Sequence, residues 1–337
     1  MSWRYGPYRA RHALPLGVEE RAAVGQRGRA GDLLAEGMTY GPPVRVQAAR
    51  RLGVTRADLD RVLRVAPGTV VERGTLLART GQRFARVVSS PIAGRVLHIR
   101  ADGDIEIAPI TGPWIVRSTL DGVVTSADDS EVTVEGNAWG LQGIAAYGPD
   151  AVGELALAVE RPSEEMRASR IDVRQRERIL VGGARASAEC IARAHACGAA
   201  AVVAGAVPAG GLRVVFGAGV SAHGSPSRDD LPTVLCLLGF GSAPLPQQLF
   251  APLAAVAGTR SAIHTASARL FVFAPADAMT VSTLPPSLAL LGDWGALRLL
   301  DGPASASDAT MFPSEITAPA VLTPDGPIPA ANVRALV

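Results

Sequence analysis

Lysine is absent from this 337-residue chain, and all 33 of its basic residues are arginine. A guanidinium stays protonated and is a poor nucleophile. Schiff-base chemistry, the phosphate-binding amine of a P-loop and amide-linked prosthetic arms are therefore excluded. Aromatic residues make up only 4% of the chain, so the core has to be built from Ala, Val and Leu. Three cysteines, Cys190, Cys197 and Cys236, do not make a disulfide framework, and reduced thiols point to a cytoplasmic location. No long hydrophobic run occurs either. The most apolar stretch, 196–212, is interrupted by four Gly and a Pro, so no membrane span is expected. The N-terminal MSWRYGPYRARHALPLG is Arg-rich without the apolar centre of a secretory signal.

What is present is a chain with 48% hydrophobic and 19% charged residues, ordinary for a protein that buries a core. Its length suggests two or three modules. The net charge of +2 hides an asymmetry: residues 1–100 carry an excess of 11 positive charges and residues 101–337 an excess of 9 negative ones. Such a split marks either an anion-binding end or two halves that attract each other, and the second reading is favoured.

Residues 1–45, rich in Arg, Gly and Pro, read as an extended arm with short strands. In 46–65, Ala48, Ala49, Leu52, Leu59, Val62 and Leu63 recur at helical spacing, broken at Gly53. Thr55 followed by Asp58 forms a capping-box-like start for a second helix. From Val65 to about Ile110, short alternating runs between Gly and Pro turns predict strands. The segment WIVRSTLDGVVTSADDSEVTVEG adds two more around an Asp-Asp-Ser turn. Within 161–284, RILVGG, AAVVAGAV, TVLCLLGF and ARLFVFAP read as strands, with helices over SAECIARAHACG and PLPQQLFAPLAAVAGT. That alternation predicts a small parallel α/β layer of three to five strands. Pro252 is expected to kink or split the second helix. From about Pro285 the pattern returns to β.

Gly68, Val71, Gly74 and Leu77-Ala78, followed by Ser90-Pro91, Gly94 and Val96, carry a resemblance. Over about residues 62–112 the chain resembles the barrel-sandwich hybrid of biotinyl/lipoyl-like domains. In that group the modified lysine sits on the hairpin between the two halves, eight residues before the Pro. That position is Arg83 here, so the resemblance implies an unmodified barrel without covalent lipoyl or biotin, used for docking. Leu300-Asp301-Gly302, Ile328-Pro329 and Asn332-Val333 weakly resemble an SH3-like module of the KOW kind. The fold class expected is thus α+β and multidomain: an arm over 1–45, a barrel-sandwich hybrid with helical insertion and flanking strands over 46–160, a small parallel α/β domain over 161–284, and an SH3-like β module over 285–337.

Two glycine turns are the candidate ligand sites. Gly182, Gly183, Arg185 and Ser187 follow one expected strand, and Gly239, Gly241 and Ser242 follow another. Both would sit at the carboxyl edge of a sheet, where helix-start N–H groups favour phosphate. Neither turn is a GxGxxG or P-loop motif. Cys190, His195 and Cys197 invite a metal reading, but one helix sets the two sulfurs about 10 Å apart, too far for one zinc. His12, His98, His195, His223 and His264 fall in no catalytic motif, so no catalytic residue, metal ligand or cofactor is assigned. AARRLGVTRADLDRVL has a helix-turn-helix texture that would aim Arg56 and Arg61 at DNA. The neighbouring Asp58 and Asp60 oppose it. The expectation is a non-catalytic scaffold or adaptor with protein partners. A phosphate- or nucleotide-binding α/β protein and a DNA-binding protein are the alternatives.

Overall fold

The computed structural model describes residues 3–81, 85–217, 219–220, 224–225, 230–242 and 244–281, with the backbone of six further strands beyond them. The chain begins with β1 (Trp3–Ala13), β2 (Val18–Arg21), β3 (Arg27–Gly28) and β4 (Leu33–Tyr40). A compact segment follows. It holds β5 (Val44–Val46), helices α1 (Ala48–Leu52) and α2 (Arg56–Val62), and strands β6 (Val70–Val71), β7 (Leu76–Thr80), β8 (Arg86–Ser89), β9 (Gly94–Ile99) and β10 (Ile105–Ala108).

This segment has its own core, in which Val46, Leu52, Leu59, Leu77, Val96 and Ile107 meet. A four-stranded sheet, β5-β10-β9-β6, lies beside the β7–β8 hairpin. Gly53 ends α1 with φ +69°, a left-handed conformation that glycine adopts at no steric cost. Thr55 caps α2 by accepting the Asp58 N–H at 3.3 Å. Arg83, the expected carrier position, lies outside the described residues.

The chain then lays down β11 (Ile110–Arg117), β12 (Gly122–Ala127), β13 (Glu131–Gln142), β14 (Ala145–Tyr147) and β15 (Ala151–Leu157). The β12–β13 turn is held by Asp128, whose Oδ1 accepts the Ser130 N–H at 2.7 Å and the Glu131 N–H at 2.9 Å. Next come β16 (Arg178–Val181), α3 (Ala188–Ala196), β17 (Ala201–Val207), α4 (Ala209–Phe216), β18 (Val234–Phe240), α5 (Gln247–Ala255), β19 (Arg260–His264) and β20 (Arg269–Val272). Pro252 lies inside α5, whose nine residues continue past it.

The expected fold class has to be corrected. The chain is mostly β, and its central element is one mixed 11-stranded sheet in the order β14-β18-β17-β16-β15-β19-β20-β13-β12-β3, with β1 on β13. Strands β15 to β18 do pair in parallel, but they form no discrete α/β layer. The outer edge of β15 is taken by β19, with Glu154 opposite Arg260, and that of β18 by β14. A three- or four-stranded parallel layer would leave two rows of unpaired backbone groups, and here antiparallel neighbours satisfy both. Strand–helix alternation is a local signal and carries no information about those distant partners. One core runs under this sheet, from Trp3 and Trp139 to Ile179, Val203, Leu237 and Leu253.

Residues 3–13 pair along their whole length with β13, from Trp3 opposite Leu141 to Ala13 opposite Glu131. A smaller sheet, β11-β4-β2, lies at the N-terminal side. Gly37 faces Trp114 across it, and a Cβ there would meet the indole at 2.5 Å. The charge asymmetry is spent inside the molecule: Arg9 pairs with Glu135, Arg21 with Asp129, and Arg45 with Asp102 and Asp104.

In the C-terminal region, β21 (Leu288–Leu291), β22 (Leu297–Leu300) and β26 (Val333–Ala335) form one sheet. β23 (Ser305–Thr310), β24 (Thr317–Thr323) and β25 (Gly326–Pro329) form another. Asp301, Gly302 and Asn332, on which the SH3-like reading leans, lie outside the described residues. No helix among the described residues is long and apolar enough to cross a membrane.

Candidate functional site

A cleft of about 940 Å3 opens where the β11-β4-β2 sheet meets the large sheet. That size is within the roughly 300–1,000 Å3 typical of small-molecule sites. Its lining includes the apolar residues Leu14, Pro113, Trp114, Ile115 and Val116 together with His12, Asp150 and His264.

Three separate pieces of chain deliver those three side chains. β1 alternates, so that Ala10 and His12 point inward while Arg9, Arg11 and Ala13 point out, and the sheet period buries one imidazole. Asp150 ends the turn Gly148-Pro149-Asp150 just before β15. The Thr233 hydroxyl holds that turn by donating to the Pro149 carbonyl at 2.7 Å. His264 is the last residue of β19, at the hairpin that leads into β20.

The cluster is tightly bonded. His12 Nδ1 lies 3.2 Å from Asp150 Oδ2, and the other carboxylate oxygen accepts the Thr265 N–H and hydroxyl, both at 2.8 Å. His264 Nε2 is 3.0 Å from the Arg11 carbonyl oxygen, to which it donates, and its Nδ1 is 2.7 Å from Ser267 Oγ. The two rings sit edge to face, with centroids 5.2 Å apart. Both imidazoles are buried, whereas the Asp150 side chain keeps 29% of its surface exposed to the cleft.

Burial acts to raise the Asp150 carboxyl. The His12 hydrogen bond, the two imidazoles and the Thr265 N–H outweigh it and hold the group below the usual carboxylate range. Burial pushes His264 below the ordinary imidazole value. The nearby His12 and Arg269 add to that effect, against the pull of Asp150 and the Arg11 carbonyl. The resting cluster is therefore a carboxylate beside a neutral His264.

A hydrolytic triad is not formed. Thr119 Oγ1 lies 3.4 Å from His12 Nε2, beyond the roughly 2.6–3.2 Å of a nucleophile–base contact, and Thr119 is fully buried. What the arrangement offers is hydrogen bonding and, from two imidazoles and a carboxylate, metal ligation. The three offer ligand atoms within 4.8 Å of one another and are the only such group among the described residues.

The residues singled out from sequence lie elsewhere, and none of them lines this cleft. The Gly182 turn runs alongside β17. The N–H groups of Gly182, Ala184 and Ala186 donate to the carbonyls of Val203, Glu164 and Ala206, so they are not free for a phosphate. A Cβ on Gly183 would lie 2.3 Å from the Glu164 oxygen, which makes that glycine a requirement of close backbone packing. Arg185 faces Glu165 at 3.6 Å, and Ser187 caps α3. Gly239 sits at an irregularity of β18 opposite Ala206, the Gly241 N–H donates to Val207, and Ser242 is exposed.

Arg56 bonds Asp60 and the Arg100 carbonyl, and the exposed Arg61 faces Asp58 at 3.6 Å. Cys190 donates to the Met166 carbonyl at 2.9 Å, and Cys236 is fully buried. His223 and its neighbours Ser221, Ser227, Arg228 and Asp229 lie outside the described residues.

Positions 12, 150 and 264 share no linear motif, which is why the cluster escapes sequence reasoning. The one local trace is a histidine at an inward position of an alternating strand. Compared with protein-family models, curated proteins and solved structures, the chain gives no match.

Proposed function

We propose that the protein binds a small organic molecule in the cleft beside His12, Asp150 and His264. The observation that carries this reading is the pairing of apolar residues with a hydrogen-bonding cluster in the lining of one cavity of ligand size. The ligand's apolar body would lie against the apolar residues of the lining, Leu14 and Ile115 among them. Arg11 and Arg117 are also among the lining residues and favour an acidic group on the ligand. Docking by residues 62–112 has weaker support, since its exposed apolar residues Val70, Leu76, Val87, Leu97 and Ile110 fall on five different strands with nothing shown to cover them.

A thermal-shift screen with aromatic and aliphatic carboxylic acids tests the reading. At 100-fold saturation a bound ligand stabilises the fold by about 2.7 kcal/mol. Ala266→Trp, at an exposed position on the cleft wall, should abolish the shift. A hit that survives this substitution, or the absence of any hit at millimolar ligand, overturns the proposal.

A further inference from the structure

We infer that His12, Asp150 and His264 form a binding site for one divalent transition-metal ion, of which zinc is the natural probe. The inference goes beyond the organic-ligand reading and shares only its location. Two imidazoles with one carboxylate are a donor set suited to zinc and its neighbours, and three protein ligands leave one coordination position open. All three residues line the cleft, so that position is filled from it.

The distances decide how much has to move. His12 Nδ1 and Asp150 Oδ2 are already 3.2 Å apart. Two donors on a tetrahedral ion, each about 2.0–2.2 Å from it, sit about 3.4 Å from one another. No two of the ligand atoms are more than 4.8 Å apart, so the closure needed is at most about 1.4 Å. The exposed side of Asp150 leaves room for that adjustment by side-chain rotation.

The surroundings are those of oriented ligands. A metal-bound imidazole is fixed through its second nitrogen. Whichever nitrogen His264 turns to the ion, the other has a partner in place, Ser267 Oγ on Nδ1 or the Arg11 carbonyl on Nε2. His12 faces Asp150 through Nδ1 and has Thr119 Oγ1 at 3.4 Å from Nε2. Coordination through Nδ1 moves its proton to Nε2, where the Thr119 hydroxyl can accept it, and the 3.4 Å bond that Nε2 now accepts from the Thr119 N–H is given up. Asp150 Oδ1 stays anchored on Thr265 while Oδ2 turns to the ion.

The test uses the full chain, freed of metal by a chelator and titrated with Co2+ and then Zn2+. The result expected is one ion per chain, a visible Co2+ absorption band of low coordination number, and its displacement by Zn2+. His12→Ala, His264→Ala and Asp150→Asn should each weaken binding by at least about 10-fold, with circular dichroism confirming that each variant folds. Asp150→Asn keeps the shape of the side chain and guards against collapse of the other two. Substituting the exposed His98 and His195 by Ala should change nothing.

Wild-type protein that takes up no stoichiometric ion, or binding lost with His98 or His195 and kept without His12, overturns the inference. Carboxylic-acid binding read on the metal-free protein separates the two proposals. Its survival without ion binding sinks only the metal site, and ion binding without it sinks only the organic-ligand reading.

Discussion

His12 and Asp150 stand 138 positions apart in the chain, yet Nδ1 of one lies 3.2 Å from Oδ2 of the other. β1 is stitched to β13 over its whole length, which fixes its course, and His12 near its end meets the turn just before β15. The contact ties the end of the first strand to the turn before β15, two parts of the large sheet that are not neighbours in it.

Asp150→Ala removes the acceptor for His12 Nδ1 and for the Thr265 N–H and hydroxyl together. Of these donors only His12 is buried. Leaving one buried donor unpaired costs about 1–3 kcal/mol, and water replaces the acceptor at the partly exposed Thr265, so a loss of about 1–3 kcal/mol is expected. Urea unfolding of the metal-free variant measures it, and a loss below about 0.5 kcal/mol would show the network to be dispensable.

Stability of the metal-free protein should fall in acid, in two stages. His264 is depressed below its ordinary 6.5, so the unfolded chain takes up the proton first. The stability His264 contributes is present above 6.5 and is lost as the pH drops through its folded value. Asp150, depressed below 3.8, contributes stability above that value and loses it at still lower pH. Denaturant midpoints at about pH 7.5 and pH 5 check the first stage. His264→Gln should flatten that difference, and equal midpoints in the wild type would refute it.

Gly183→Ala should destabilise by about 1–3 kcal/mol. The new methyl group would press on three backbone carbonyl oxygens, those of Arg161, Pro162 and Glu164, at 2.3–3.0 Å. Backbone cannot swing aside as a side chain can. Gly210→Ala, where nothing lies within 4 Å of the added carbon, is the matched control. A similar effect at both positions would contradict the packing account.

Thiol labelling of the native protein should show one accessible cysteine. Cys197 is half-buried, whereas Cys190 and Cys236 are buried, and burial pushes the Cys236 thiol up, away from its reactive thiolate. Titration with a disulfide reagent should give one fast equivalent that disappears in Cys197→Ser. Three fast equivalents would mean that the central sheet opens readily.

Much of the local structure was legible. Thr55 and Asp58 mark the start of α2, Gly53 stops α1, and the Asp128 turn joins β12 to β13, because caps and turns are decided by residues within four positions of one another. The apolar runs at 178–181, 201–207 and 234–240 read as strands for the same reason: they are buried along their length. The fold class was misjudged at the next level. Nothing near Glu154 says that its neighbour across the sheet is Arg260, or that Trp3 faces Leu141.

The sequence alone determined what this protein cannot do with an amine. Without lysine these residues offer no lysine-linked carrier arm, no P-loop lysine and no lysine Schiff base, and that holds in any fold because it depends only on the side chains available. It also determined the short helices, caps and turns, whose energetics are local. Only the tertiary structure decided that the parallel strands are absorbed into one mixed sheet and that the Gly182 turn is closed by its own backbone hydrogen bonds. The same structure brings His12, Asp150 and His264 to one cleft. Those outcomes rest on pairing and burial between residues that lie from about twenty positions apart, as Gly182 and Val203 do, to 138 apart, as His12 and Asp150 do, where a sequence read in order carries no physical signal.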